Sequence, residues 1–73
     1  MEKNVLLGKN IKHLRKKAHL GQQQLADNLG VSRSTLTCWE NGIRTPKISK
    51  IVEIANFFGV NMDIIYKDLS KEK

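Results

Sequence analysis

The chain has 73 residues, with 13 Lys and Arg against 7 Asp and Glu, and so carries a formal net charge of +6 at pH 7. A chain this short has room for one compact domain, so neither a linked second domain nor an enclosed substrate cavity is expected. The excess of positive charge favours a polyanionic partner, with nucleic acid ahead of an anionic membrane. A basic surface that only keeps the protein soluble is the alternative that charge alone leaves open.

Metal-binding and reactive residues are scarce in this chain. Cys38 is the single cysteine, so neither an intramolecular disulfide nor a multi-cysteine metal site is expected. His13 and His19 are not aligned on one helix face, and no metal, cofactor or small-molecule ligand is predicted. The N-terminal region lacks a signal-peptide core, and no segment approaches the roughly 20 apolar residues of a membrane span. We therefore expect a cytoplasmic protein that does not associate with membranes.

The first predicted helix covers about residues 5–18. Apolar side chains recur along it at the spacing of one helix face. They are Leu7, Ile11, Leu14 and Ala18. The other face is strongly basic, with Lys9, Lys12, Arg15 and Lys16. The pattern predicts an amphipathic helix that turns its apolar face to the core.

Residues 22–41 contain the most informative pattern, which predicts two short helices joined by a tight turn. Apolar residues at helical spacing mark both helices, namely Leu25, Ala26 and Leu29 in the first and Leu36 and Trp39 in the second. Gly30 permits the positive φ that ends the helix over about 22–28. Ser32 can accept a hydrogen bond from the first N–H groups of the helix over about 33–41. A helix-turn-helix presents its second helix outward, and in DNA-binding proteins that helix enters the major groove.

A fourth helix is predicted after the connection formed by residues 43–46. Pro46 is well placed just before a first helical turn, and Gly59 ends the segment. The predicted inner stripe consists of Ile48, Ile51, Val52, Ala55 and Phe58. Its spacing indicates a helix packed on the core with one face.

A short fifth helix is predicted to follow, capped by Asn61 and extending to about Tyr66. Its inward residues would be Met62 and Ile65. The tail, residues 67–73, is expected to fray. Since no segment alternates like a strand, we predict an all-α, compact bundle of five short helices that forms one domain over residues 1–73.

The chain resembles the XRE or Cro-like helix-turn-helix family, which includes phage Cro proteins, phage repressor N-terminal domains and restriction-modification controller proteins. The matching residues are Leu20, Gln22, Leu25, Ala26, Gly30, Val31, Ser32, Leu36, Trp39, Glu40, Gly42, Arg44, Pro46, Ile51, Ala55, Phe58, Gly59, Val60 and Ile65. They lie between about residues 7 and 66, which is nearly the whole chain. The resemblance implies a lambda-repressor-like fold of five α-helices and operator binding as a dimer.

The outward face of the third helix is the predicted base-reading surface. The residues that the helical period turns outward are Arg33, Ser34, Thr37 and Cys38. The donor fork of Arg33 suits guanine O6 and N7, and the methyl group of Thr37 suits thymine. The resemblance implies base readers at these positions, although Cys38 departs from the long polar residue that is often found there. The alternative is a helix face that is merely solvated.

A second set of residues is expected to contact DNA phosphates, which fixes register without reading sequence. The set comprises Gln22, Thr35, Asn41, Arg44 and Lys47. The amide of Gln22 and the free N–H groups of its helix can meet a phosphate, as the resembling glutamine does. The Ser or Thr usual before it is Gly21 here, which removes one cap. The residues after the third helix resemble the family's second phosphate clamp.

Glu40 is unexpected on a DNA-facing helix, because phosphates repel a carboxylate. The resemblance implies an ion pair with Arg15 that ties the first helix to the third and aims the arginine toward the DNA backbone. Acceptance of a hydrogen bond from cytosine N4 is the alternative. Stacking of Trp39 and Tyr66 on single-stranded bases is a further alternative, but Trp39 is in phase with Leu36, which favours the core.

One recognition helix covers few base pairs, and members of the family commonly dimerise so that two helices enter successive major grooves. We expect a homodimer through Phe57, Ile64 and Tyr66, which are apolar residues that the inward face does not need. The alternative is that the C-terminal tail folds back over them.

The predicted function is that of a sequence-specific regulator that binds double-stranded DNA. A repressor that blocks polymerase at a palindromic operator is the simplest form. An enzyme is not expected, because the chain has no phosphate loop, metal-ligand cluster or convergent catalytic groups. The alternative function is that of an antitoxin or protein-interaction module on the same fold.

Overall fold

A computed structural model describes residues 3–65 of the chain, with the backbone alone for residues 3–5 and 64. This part of the chain forms five α-helices and contains no strand. They are α1 (Lys3–Lys17), α2 (Gln22–Leu29), α3 (Arg33–Glu40), α4 (Ile48–Phe58) and α5 (Met62–Ile65). The all-α prediction is confirmed. The expected end of the fifth helix at Tyr66 and the expected frayed tail lie outside the described residues.

All five helices contribute to one hydrophobic core. Its buried side chains are Leu7, Ile11, Leu25, Ala26, Leu29, Leu36, Trp39, Ile51, Ile54, Ala55 and Ile65. Partly buried apolar side chains, including Leu20, Val31 and Phe58, pack around this cluster. The core packs against the inner faces of α2 and α3, so that the outer faces of both helices remain accessible.

The inner stripe of α4 differs from the predicted one. Ile48 and Val52 are 70% and 37% exposed, whereas Ile54, which the prediction omitted, is fully buried. The core-facing residues are Ile51, Ile54 and Ala55, followed by the half-buried Phe58. The helix has apolar residues on two neighbouring faces; Ile51, Ala55 and Phe58 of the predicted stripe are confirmed, whereas its inclusion of Ile48 and Val52 was wrong. Packing against the other helices, rather than the periodicity, decides between them.

The predicted end of α1 also needs correction. The helix ends at Lys17, and Ala18 is exposed rather than part of the apolar face. His19 takes a left-handed conformation with φ of 58°. The Leu20 N–H donates to the Arg15 carbonyl over 3.1 Å. The chain therefore turns sharply after Lys17 and leads into α2.

The turn between α2 and α3 has the predicted capping interactions. Gly30 has φ of 69°, and its N–H is directed to the carbonyls of Ala26 and Asp27 at the end of α2. The Ser32 Oγ accepts a hydrogen bond from the Thr35 N–H over 3.1 Å. The left-handed glycine and the N-cap serine thus fix the angle between the two helices.

Close backbone contact places α1 against the C-terminal end of α3. A Cβ atom added at Gly8 would lie 2.8 Å from the Glu40 carbonyl oxygen and closer still to that of Trp39. Farther along α1, the buried Asn10 side chain donates a hydrogen bond to the Ile65 carbonyl of α5. The helix α1 therefore packs on α3 and is linked to α5 by a buried polar contact.

Candidate nucleic-acid interface

The outer face of α3 presents the predicted base-reading residues together. Arg33 and Ser34 are exposed, and Thr37 and Cys38 are half-buried. All four line one shallow surface depression. On the opposite face, Leu36 is fully buried and Trp39 is 6% exposed. Trp39 is thus a core residue and is not available for stacking on bases.

Hydrogen bonds within α3 orient part of this face. The Thr37 hydroxyl donates to the Arg33 carbonyl over 2.9 Å, and its oxygen retains acceptor capacity. The Ile43 N–H donates to the Cys38 carbonyl over 2.9 Å, so the chain folds back at the end of the helix. The face is therefore both polar and held in place.

A buried ion pair anchors the C-terminal end of α3. The Arg15 Nε lies 2.6 Å from the Glu40 Oε2, and the Arg15 Nη2 donates to the Glu40 Oε1 over 3.2 Å. The side chains of Arg15 and Glu40 are 9% and 1% exposed. Paired and shielded in this way, the carboxylate of Glu40 is not available to cytosine. The alternative role of Glu40 as a base reader is therefore wrong.

The described contacts of the Arg15 guanidinium all lie within the protein, and its expected direction toward the DNA backbone stays a prediction. Its Nη1 donates to the Leu20 carbonyl over 2.9 Å, and its Nε and Nη2 donate to the Glu40 carboxylate. These contacts engage all three nitrogens of the guanidinium. The ion pair joins α1 to α3 inside the protein.

Gln22 extends the polar network from the ion pair to the reading face. Its Nε2 donates to the Glu40 Oε1 over 3.0 Å. Its Oε1 accepts a long hydrogen bond of 3.4 Å from the Arg33 Nε. Both ends of the amide are thus engaged, and Arg33 is held through Nε while its terminal nitrogens stay accessible. The second N–H of the Gln22 Nε2 and the first backbone N–H groups of α2 remain for an anion, and the phosphate contact expected of Gln22 stays a prediction.

The remaining residues of the expected phosphate set lie beside α3. Asn41, Arg44 and Lys47 are exposed, and their side chains form no hydrogen bond or ion pair with described residues. Thr35 is half-buried, and its hydroxyl lies 2.8 Å from the Ser32 Oγ within the helix cap. The side chains of Asn41, Arg44 and Lys47 are therefore available to a ligand, whereas the Thr35 hydroxyl is engaged in the helix cap.

Lys50 is a basic residue of this region that the sequence patterns did not indicate. The Lys50 Nζ donates to the Leu29 carbonyl over 2.6 Å and lies 3.0 Å from the Glu53 Oε2. It caps the C-terminal end of α2 from α4. With Arg44 and Lys47 it lines a cleft of about 340 Å³. Because Leu29 and Lys50 are 21 residues apart, no local pattern could have indicated the contact.

The expected dimer surface is described only in part. Phe57 is 41% exposed and packs edge-on against Phe58, with ring centroids 5.0 Å apart. The side chain of Ile64 and the whole of Tyr66 lie outside the described residues. Phe57 is thus the one member of the expected interface whose exposure is established.

Within residues 3–65, no group of three or more His, Cys, Asp or Glu is placed to hold a metal ion. No helix in this part of the chain is both long enough and apolar enough to cross a membrane.

Known proteins similar to this chain include transcriptional regulators and an antitoxin. The profile of the helix-turn-helix family matches residues 11–65. YqaE of Bacillus subtilis, an uncharacterized HTH-type transcriptional regulator, is 37% identical over 68 residues, which is 93% of this chain and 59% of YqaE. The phage CTXphi transcriptional repressor RstR of Vibrio cholerae is 29% identical over 63 residues, or 86% of this chain and 57% of RstR. The antitoxin PezA of Streptococcus pneumoniae is 39% identical over 64 residues, or 86% of this chain and 40% of PezA. The chain thus spans less than two thirds of the length of each of these relatives.

Proposed function

This chain belongs to the helix-turn-helix family, and we propose that it is a transcriptional regulator that binds double-stranded DNA in a sequence-specific manner through α3. The observation that carries the proposal is the two-sided character of α3. Its inner face is fixed by core residues and by the buried Arg15–Glu40 pair, whereas its polar outer face is accessible. A rigid helix with an accessible polar face is suited to the major groove.

The residues of the outer face are assigned as base readers. Arg33, in the first turn, donates to guanine O6 and N7, and Ser34 donates to or accepts from a neighbouring base. Thr37 and Cys38 lie one turn farther on and contact thymine methyl groups. The hydrogen bond from Arg33 to Gln22 supports its role, because a restrained guanidinium loses less freedom on binding.

Phosphate contacts are assigned to the positions that flank α3. The first turn of α2, beginning at Gln22, offers backbone N–H groups to one phosphate. Asn41, Arg44 and Lys47 contact another stretch of the same backbone, and Thr35 contributes at the start of α3. The exposure of Asn41, Arg44 and Lys47 supports this assignment. Such contacts fix the position of the protein on the duplex and make its affinity depend on salt.

A homodimer on a palindromic operator is the assembly that we propose. Two copies place two α3 helices in successive major grooves about 34 Å apart. The exposed Phe57, with Ile64 and Tyr66, forms the contact between protomers. Repression by blocking access of polymerase is the mode of action that we propose, and the likeness to the repressor RstR supports it.

An antitoxin is the second candidate, because the chain is 39% identical to the antitoxin PezA over 64 residues. The two proposals differ in what the isolated protein does. A regulator binds one DNA sequence by itself, whereas an antitoxin additionally forms a stable complex with a toxin. Co-purification with the product of a neighbouring gene would favour the second candidate.

Selection of bound duplexes from a random pool tests the proposed function. We expect an enriched inverted repeat whose half-sites are centred about one helical turn apart, with affinity that falls steeply as salt rises. Enrichment of a single half-site would contradict the proposed dimer but not the proposed reading of bases by α3. Recovery of no preferred sequence would contradict the proposal of a sequence-specific regulator.

A further inference from the structure

A basic cleft lies beside the proposed reading face of α3 and reaches α4. We give this name to the cleft of about 340 Å³ that is lined by the cations Arg44, Lys47 and Lys50. Its apolar lining consists of Val31, Trp39 and Pro46. No acidic residue of the described part of the chain lines it. The phosphate contacts proposed above use two of the three cations and leave Lys50 without a role in binding.

The basic cleft is continuous with the reading face. A smaller depression, of about 260 Å³, adjoins both of them. It shares Ser34 and Cys38 with the reading face, and it shares Thr35 and Arg44 with the basic cleft. A DNA strand that follows this surface away from the reading face therefore passes Arg44 and enters the basic cleft.

The basic cleft and the start of α2 flank opposite sides of α3. At 3.6 residues per turn, Arg33 and Thr35 lie about 160° apart around the helix. Arg33 is hydrogen-bonded to Gln22 of α2, whereas Thr35 lines the basic cleft. A helix in the major groove has one DNA backbone on each side, because the groove is bounded by both strands. The basic cleft thus faces the strand that the start of α2 does not contact.

Lys50 is held at the basic cleft with a donor to spare. Its Nζ donates to the Leu29 carbonyl over 2.6 Å and to the Glu53 Oε2 over 3.0 Å. An ammonium group has three N–H donors, so one remains for a ligand. The Lys50 side chain is 28% exposed. Since the contact with Leu29 already restrains the Nζ, a bound anion would cost little further side-chain freedom.

We propose that Lys50 contacts a phosphate of this strand in the basic cleft, so that the DNA interface extends from α3 to α4. The proposal rests on the proposed function, since α3 must hold the duplex. The DNA backbone alternates charged phosphates with deoxyribose, whose CH groups are apolar. The cations of the basic cleft are complementary to the phosphates, and Val31 and Pro46 offer apolar surface to the sugars. Inorganic phosphate would use the cations and leave the apolar lining uncovered.

Glu53 allows a test that separates DNA contact from a structural role of Lys50. Its side chain is 53% exposed, and its Oε2 lies 3.0 Å from the Lys50 Nζ. A phosphate bound at this Nζ would be repelled by the carboxylate. An exposed ion pair of this kind contributes little to stability. Neutralising Glu53 should therefore strengthen DNA binding, whereas loss of a structural ion pair would weaken it.

Operator binding by four proteins tests the proposal, namely the wild type, K50Q, K50R and E53Q. Affinity for the selected operator is measured over a range of salt concentrations. The wild type and K50Q are also titrated with operators in which one phosphate at a time is replaced by an uncharged methylphosphonate. Urea unfolding checks that all four proteins fold.

We expect K50Q to bind about tenfold more weakly for each bound protomer, as loss of a charged hydrogen bond does. Between 50 and 200 mM salt, its affinity should fall about 3.5-fold less for each protomer than that of the wild type, because one phosphate contact is missing. K50R should restore the salt dependence, and E53Q should bind more tightly than the wild type. At one position in each half-site, a methylphosphonate should weaken the wild type about tenfold and K50Q less than about twofold.

Three results would overturn the proposal. The first is a K50Q variant with the affinity and the salt dependence of the wild type. The second is weaker binding by K50Q in which every methylphosphonate has the same effect as in the wild type, because Lys50 would then act only through the Leu29 carbonyl. The third is an E53Q variant that binds no more tightly than the wild type. Failure of the proposed function is seen separately, as absence of operator binding by the wild type.

Discussion

At the scale of single residues, the carboxylate of Glu40 connects three helices. It accepts from Arg15 on α1 and from Gln22 on α2, and Gln22 in turn accepts from Arg33 at the start of α3. The pair of Glu40 with Arg15 was predictable from the resemblance, but the contact of Arg15 with the Leu20 carbonyl was not. That contact depends on the turn after α1, which brings the Leu20 carbonyl within 2.9 Å of the Arg15 Nη1.

Replacement of Glu40 by Ala is expected to lower the free energy of unfolding by about 3–5 kcal/mol, because the buried Arg15 guanidinium is left without its counter-charge. Urea unfolding measures the change. The double substitution E40L/R15M should be less destabilising than E40A alone, since it removes both charges. A loss below about 1 kcal/mol for E40A would mean that the ion pair does not have this structural role.

Replacement of Gly8 by Ala is expected to destabilise the protein, because the added Cβ would meet the backbone carbonyls at the end of α3. Overpacking of this kind costs about 1–3 kcal/mol. Gly21 provides a matched control, since a Cβ there would lie 3.5 Å from the Gln24 Oε1 and φ is −76°. Urea unfolding curves of G8A and G21A that change equally would argue against the close approach of α1 and α3.

At the scale of elements, α2 and α3 were predictable because their signals are local. The apolar spacing, the glycine at the end of α2 and the serine cap of α3 lie within a short stretch and agree with one another. The stripe of α4 was not predictable in the same way, because Ile48 and Val52 match the helical period as well as Ile54 does. Only the position of the neighbouring helices distinguishes the two faces.

Two substitutions separate the roles proposed for α3 and for the loop that follows it. R33A should reduce discrimination between the selected operator and a variant with one base pair changed by about 1–3 kcal/mol. K47A should weaken binding to all duplexes alike and reduce the salt slope by about 1. Equilibrium binding to both duplexes over a range of salt concentrations measures these effects. If R33A weakens both duplexes equally, Arg33 contacts phosphate rather than a base.

At the scale of the whole molecule, the contacts that assemble the helices join residues far apart in sequence. Asn10 reaches Ile65 across 55 residues, and Lys50 reaches Leu29 across 21. Periodicity and capping rules describe neighbours along the chain, so they predict the helices and not these contacts. The same limit applies to the oligomeric state, for which the sequence offers exposed apolar residues but no partner.

Replacement of Phe57 by Ala is expected to weaken the proposed dimer, raising its dissociation constant about tenfold or more, as loss of a buried aromatic anchor does. Sedimentation over a range of protein concentrations measures the constant. N56A, a change at the exposed neighbour, serves as the control. If F57A and N56A dimerise like the wild type, the protomers meet elsewhere.

Nuclear magnetic resonance during a titration with the selected operator offers the most decisive check on the role of α3. We predict that the amide signals of residues 33–38 shift most, together with those of the first turn of α2 and of residues 41–47. Signals from the buried part of α4, around Ile54, should move little, and a duplex of unrelated sequence should cause smaller changes at residues 33–38. If the largest shifts instead fall on α4 and α5 while residues 33–38 stay unchanged, α3 does not read DNA.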